Sequence, residues 1–263
     1  NKEQSLKEAQ IAKMDELIRK ADIRPEHRVL EIGTGWAGLA THLKKKIGCK
    51  VTTITISKEQ YRYATEKFRT ENLHFDISLQ FKDYRDMKGK FDRIISVEMI
   101  EAVGYKYLPS YFQACNRLLN DNGKLVLQAI TIPHDRYKEY SKNCDFIQKH
   151  IFPGGHLPSI EHIHEIISQD TQLKLCSLDE IGLHYAETLR QWRENMLSKS
   201  KTIKSLGFND AFLNKYEYYF SYCEVGFLKR FIHNHHLVFD KVTTSNRHNI
   251  PTVNEIPLYS HQN

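Results

Sequence analysis

Five cysteines stand in the 263 residues, at Cys49, Cys115, Cys144, Cys176 and Cys223, and no two of them form a C-x-x-C pair. An odd number of scattered thiols argues against a disulfide framework or a zinc site and fits a reducing cytosol, so no metal is expected. No apolar run approaches the roughly 18 to 20 residues that a spanning helix needs, and no signal-peptide pattern opens the chain. Any membrane contact is therefore expected to be peripheral, from the cytoplasm. Internal repeats, low-complexity tracts and Pro/Gly/Ser linkers are also missing, so one domain is expected over residues 1–242, with a polar tail over 243–263. The first residue is Asn1 rather than Met, and the chain reads as one that lacks its natural beginning.

Hydrophobic residues at 40% and charged residues at 27% describe an ordinary globular protein rather than a disordered one. A net charge of +6 points to an anionic partner without choosing among nucleic acid, acidic lipid and phosphorylated substrate. Along the chain, an amphipathic helix precedes the apolar strand "RVLEI", and "GLATHLKKKIG" has helical period. "KVTTITI" is a buried strand, and "SKEQYRYATEKFRTEN" is a helix opening on the N-cap Ser57. "DISLQFKD", "FDRIISVEM" and "GKLVLQAITI" continue the alternation, which predicts an α/β, doubly wound, seven-stranded, mostly parallel sheet. From 133 to about 172 the alternation breaks in a Tyr-, His- and Lys-rich stretch, read as a helical insertion after strand five. Strand character resumes in "LKLCSLDEIGLHY", two helices follow, and "HLVFDKV" is the last strand.

The turn "EIGTGWAG", Glu31 to Gly38, fits G-x-G-x-x-G, a spacing that brings a ligand close to backbone N–H groups at a helix start. Dinucleotide sites place Asp or Glu right after strand two to bind a ribose hydroxyl, and here that place reads "ITISKEQ". Glu31, two positions before the first glycine, would repel a phosphate and attract a sulfonium, which favours S-adenosylmethionine over NAD. Alternatively, Glu31 only fixes the turn by hydrogen bonding. The expected cofactor contacts are Glu31, Gly33, Gly35 and Gly38, then Thr55, Ser57 and Gln60 after strand two, and Asp83 and Tyr84 after strand three.

Seven blocks, "VLEIGTGWAGLATHL", "VTTITISKEQ", "DYRDM", "FDRIISVEMIEAVG", "YFQACNRLLNDNGKLVLQAIT", "IFPGGHLPSI" and "HYAETLRQW", resemble in order and spacing the cyclopropane fatty acid synthases and mycolic acid cyclopropane synthases. The likeness runs from about Ser5 to Lys241. "IFPGGHLPSI" and "EMIEAVG" carry more of it than the glycine turn, since ordinary methyltransferases lack both. The resemblance implies a Rossmann-like methyltransferase that transfers a methyl group to the cis double bond of a phospholipid acyl chain. Loss of a proton from the resulting cation then gives a cyclopropane, with a bound bicarbonate as the base.

Carried over by motif, Glu101 and Tyr185 take the positions that hold that anion. The family's histidine on strand five is here Gln128, which can donate a hydrogen bond but cannot relay a proton. That departure leaves ring and methyl-branched products both open. The family's Cys-bearing anion contact would lie upstream of Asn1, so none of the five thiols is assigned its role. Aromatic faces stabilise a carbocation without attacking it, and Tyr137, Tyr140, Phe146, Phe152, Tyr216, Tyr219 and Phe220 are candidates for lining the pocket. Lys138, Lys142, Lys149, His150 and His156 make the insertion a candidate for touching acidic head groups.

The expected partners are an unsaturated phospholipid in an anionic membrane surface and a second copy in a homodimer, with no nucleic acid, since no N/D-P-P-Y/F tetrapeptide follows strand four. Two other readings stay open: a methyltransferase for small amines or hydroxyls on the same fold, and a non-catalytic lipid-binding relative.

Overall fold

A computed structural model of the chain describes residues 4–242 and 258–260. Strands β1 (Arg28–Ile32), β2 (Lys50–Thr55), β3 (Ile77–Phe81), β4 (Phe91–Val97), β5 (Leu119–Thr131), β6 (Leu173–Glu180), β7 (His233–Lys241) and the short β8 (Leu258–Ser260) form one sheet. Their order is β3-β2-β1-β4-β5-β7-β6-β8. The first five strands run parallel, while β7 is antiparallel to both β5 and β6. The expected seven-stranded, mostly parallel sheet is therefore the observed one, with β8 added beside β6. Apart from β8, the polar tail expected from 243 lies outside the described residues.

Side chains of a strand alternate between faces, and this alternation builds two cores. Val29, Ile95, Val126 and Val238 pack with α1 (Leu6–Lys20), α2 (Gly38–Ile47) and α3 (Lys58–Thr70). Leu30, Ile94, Leu125, Leu127, Leu237 and Phe239 pack with α4 (Leu108–Leu118) and α7 (Ile160–Asp170). Each fully buried Leu or Ile contributes roughly 1.5–3 kcal/mol, whereas an exposed ion pair contributes about 1 or less. These two layers therefore hold the sheet. Local signals agree with them: Ser57 caps α3 by accepting from the Gln60 N–H, and Gly48 ends α2 in the left-handed region.

The insertion divides in two. Its first half holds α5 (His134–Tyr140), the one-turn α6 (Phe146–His150) and the "FPGGHLPS" turn, tied to the segment after β4 by the His156 N–H donating to the Glu101 carbonyl at 2.8 Å. Its second half is α7, whose Ile160, Ile163, Ile166 and Ile167 belong to the core, so α7 is the ordinary crossover helix between β5 and β6. The stretch "EIGLHY", expected as strand, turns at Ile181 into α8 (Gly182–Ser198). α9 (Ser200–Ser205) and α10 (Asp210–Leu228) follow, and α10 packs along α8. β7 begins at His233, three residues before the expected His236, because its pairing with β5 continues to Thr131.

Candidate functional site

The glycine turn follows β1 at the carboxyl edge of the sheet. Gly33 at φ +98°, Gly35 at +52° and Ala37 at +61° put three left-handed residues within five. The N–H groups of Gly33 and Thr34 both donate to the Ile54 carbonyl, pinning the turn to β2. A Cβ on Gly33 would meet Met99 Cγ at 3.3 Å, whereas one on Gly35 or Gly38 would meet nothing within 4 Å. The turn thus presents an open cradle of the kind that admits a nucleoside cofactor, and Met99 links it to the segment after β4.

Glu31 lies beneath this cradle, only 3% exposed. Thr53 Oγ1 donates to its Oε2 at 2.5 Å, and Thr34 Oγ1 lies 2.7 Å from Thr53 Oγ1. Burial pushes the Glu31 carboxyl up to about 8, so near neutral pH it is mostly uncharged. In this structure Glu31 anchors the turn through the two threonines, the second of the two roles that its place in the sequence allows.

After β2, Thr55 Oγ1 donates to Gln60 Oε1 at 2.7 Å and accepts from the Ser57 N–H at 3.1 Å. Gln60 is thereby fixed with its amide NH2 group available for a ribose. After β3, Asp83 accepts from the Arg85 N–H and, through both oxygens, from the Arg85 guanidinium at 2.9 and 2.8 Å. Its carboxyl is held below the usual carboxylate range by those bonds, and it would have to leave Arg85 to bind adenine. The Tyr84 ring meets Tyr111 edge-on at 5.3 Å.

Glu101, Gln128 and Tyr185 come together from three elements, around a residue that the sequence reading passed over. Glu98 follows β4 in the left-handed region, φ +49°, while its N–H still donates to the Gln128 carbonyl at 2.8 Å. Its Oε1 accepts from Gln128 Nε2 at 2.7 Å and from Asn234 Nδ2 at 2.8 Å. Its Oε2 accepts from the Tyr185 hydroxyl at 2.5 Å. Asn234 was also missed, although three buried polar residues in succession, Asn234, His235 and His236, are unusual in a central strand and could have marked it. On the same face, His236 lies opposite Gln128 in the β5–β7 ladder, both ring nitrogens buried without partners among the described residues, and burial pushes its imidazole down to about 4.

Glu101 Oε1 accepts from the Ile130 N–H at 2.6 Å, and its Oε2 is buried without a hydrogen-bond partner among the described residues. Burial first, and the Glu98 charge second, push this carboxyl up to about 8, so it stands as a neutral acid beside Glu98. Burial also raises the Tyr185 hydroxyl well above its ordinary value, keeping it a donor.

Glu98, Glu101 and Tyr185 stand in the wall of a cavity of about 1250 Å³ whose remaining surface is mostly apolar. Of the seven aromatic candidates, Tyr140, Phe152 and Tyr219 line it, joined by Trp192, Tyr218 and Tyr222, while Tyr137, Phe146, Tyr216 and Phe220 do not. His156, expected as a surface cation, is instead buried against the Tyr137 hydroxyl at 3.0 Å, and burial pushes its imidazole down to about 4. Lys138, Lys142, Lys149 and His150 are exposed as expected. No helix among the described residues is long and apolar enough to cross a membrane.

The strand order and the glycine cradle after β1 define the class I methyltransferase fold. A family model described as mycolic acid cyclopropane synthetase matches residues 1–237, and the chain belongs to that family. It is 40% identical to a tuberculostearic acid methyltransferase of Mycobacterium tuberculosis over 83% of this chain and 51% of that protein. It is 34% identical to a cyclopropane-fatty-acyl-phospholipid synthase of Escherichia coli over 90% of this chain and 59% of that one. The chain thus spans little more than half the length of these two relatives. A solved mycolic acid cyclopropane synthase complexed with SAH and CTAB superposes with a TM-score of 0.83 at 25% identity, covering 92% of this chain and 87% of that one.

Proposed function

We propose that the chain transfers a methyl group from S-adenosylmethionine to the cis double bond of an unsaturated phospholipid acyl chain, giving a cyclopropane or methyl-branched fatty acid. One observation carries the reading: a carboxyl pair with its donors stands in the wall of an otherwise apolar, aromatic-lined cavity of about 1250 Å³. An alkene offers no polar handle, so its site needs apolar walls to align it and exclude water. Aromatic faces such as those of Tyr140 and Tyr219 tolerate a developing cation. The cation must then lose a proton to a base in the same wall.

S-adenosylmethionine, when bound, supplies the electrophilic methyl group. The cradle of Gly33, Gly35 and Gly38 and the amide of Gln60 would hold it, with Thr55 and Ser57 positioning Gln60. Bicarbonate, the base that the resemblance implies, would have to share the amide of Gln128 and the hydroxyl of Tyr185 with Glu98. The names of the two relatives, one a methyltransferase and one a cyclopropane synthase, keep both products within the proposal. Exposed Lys138, Lys142 and Lys149 and the half-exposed cavity-lining Phe152, Tyr218 and Val225 support a cavity mouth that rests on an anionic membrane surface.

The test is incubation with methyl-labelled S-adenosylmethionine and unsaturated phospholipid vesicles, anionic or zwitterionic, with the acyl chains analysed by mass spectrometry and proton NMR. A gain of one CH2 unit, faster on anionic vesicles, is expected. Activity on soluble amines with none on lipid would replace the reading with a small-molecule methyltransferase. Absence of calorimetric S-adenosylmethionine binding would replace it with a non-catalytic lipid-binding relative.

A further inference from the structure

We propose that Glu98 is the general base of this site, a carboxylate built into the chain where the family resemblance puts an ion from solution. The inference rests on the proposed alkene methylation for its chemistry, and on geometry for its assignment. Three neutral donors on three elements converge on Glu98: Gln128 on β5, Asn234 on β7 and Tyr185 on α8. A carboxylate has about four lone-pair sites, so three donors orient it and leave one site for a proton. The residue lines the cavity, within reach of a chain bound there.

The backbone supports the same assignment. A non-glycine residue held at φ +49° occupies a region that strains L side chains, and such strain persists where the surrounding structure enforces it. Here the enforcing contacts are the hydrogen bonds that aim the carboxylate. The neighbouring acid divides the labour: with its carboxyl up at about 8, Glu101 keeps its proton near neutral pH. Two adjacent carboxyls in unlike surroundings take unlike roles, and Glu98, on which the three donors converge, is the one placed to accept. Gln128 therefore has no proton to relay. Its amide positions the carboxylate, which accounts for a glutamine at this place on β5.

The step balances within the named groups. As the methyl carbon bonds to one alkene carbon, the carbon–sulfur pair leaves with sulfur and the positive charge falls on the other alkene carbon. Glu98 then accepts a proton from the carbon skeleton: an O–H bond forms, a C–H bond breaks, and the released pair closes a ring or makes a double bond. Glu98 ends as a neutral acid and returns its proton to solvent. No reductant is consumed.

The test uses the described chain without cofactor or lipid in its first arm. Carbon-13 bicarbonate is titrated into the wild type and into Glu98→Gly, a change that the left-handed backbone accommodates, and binding is read by carbon NMR and calorimetry. The expected result is binding by the variant alone, with the freed donors taking the anion. Binding by the wild type, or by neither protein, overturns the proposal. In the second arm Glu98→Gln is expected to retain S-adenosylmethionine binding and thermal stability while losing turnover by about a hundredfold or more, as for removal of a positioned base. Turnover within threefold of the wild type overturns it. Failure of the wild type to methylate any lipid would refute the proposed function and leave the bicarbonate arm readable.

Discussion

Tyr185 sits in the first turn of α8, its ring packed edge-on against Phe227 at 5.4 Å and Trp192 at 6.0 Å, and its hydroxyl 2.5 Å from Glu98. Tyr185→Phe keeps the packing and deletes one donor. A hydrogen bond to a charged group is worth about 1.5–3 kcal/mol, so turnover is expected to fall about ten- to a hundredfold if the bond serves the reacting state. Cofactor affinity, read by calorimetry, should not move, and unchanged turnover would remove Tyr185 from the site. At this scale the motif "EMIEAVG" delivered Glu101 but not Glu98, three residues upstream. Nothing in a one-letter string shows that the chain turns left-handed at Glu98 and swings that carboxyl toward β5 and β7. Glu31 shows the converse: its acidic type is legible in the string, and the burial that pushes its carboxyl up to about 8 is not.

Among the elements, the start of α8 decides where Tyr185 stands. A Cβ on Gly182 would lie 2.5 Å from Glu180 Oε1, 3.1 Å from Phe227 Cδ1 and 3.3 Å from the Asn234 nitrogen. Gly182→Ala must therefore push α8 away from β7 and α10, a form of overpacking that costs about 1–3 kcal/mol. A lowered melting temperature is expected, together with a loss of turnover, because Tyr185 moves with the helix. Equal activity at a lower melting temperature would show that the Tyr185–Glu98 bond tolerates the shift. The boundary itself was not legible: "EIGLHY" is apolar and β-branched enough to extend β6. The Ile181 N–H still donates to the Asn234 carbonyl at 2.7 Å in register with β7, and the strand ends just after it, where the Gly182 N–H turns back to Glu180 Oε1 at 2.9 Å and the Ile181 carbonyl takes up the Tyr185 N–H at 3.2 Å. The same contact lies beside Asn234, in the part of β7 that the apolar pattern missed.

Over the whole molecule, the alternation of strands and helices made the doubly wound sheet legible, because each buried strand and amphipathic helix carries its own period. Composition could not show which charges are real in the folded state. His156 was counted among the surface cations, yet His156, His235 and His236 are buried, each with its imidazole pushed down to about 4, burial being the main cause. Glu31 and Glu101 are buried with carboxyls pushed up to about 8. The two groups act on stability in opposite directions. The folded carboxyls hold protons more tightly than the unfolded ones, so their contribution is full below the unfolded value of 4.5 and is lost as pH rises through 8. The folded histidines hold protons less tightly, so their contribution is full above the unfolded value of 6.5 and is lost as pH falls toward 4. Stability of the cofactor-free protein is therefore expected to peak near pH 6, where the protons that the unfolded histidines still hold balance those that the unfolded carboxyls have lost. Melting temperatures measured from pH 4 to 9 check this, and Glu31→Gln should shrink the alkaline loss and move the peak upward, since it deletes one of the two protons involved. An alkaline slope identical in wild type and variant would mean that Glu31 is already ionised in the folded chain. Its charge, rather than the turn it anchors, would then be what the cofactor meets.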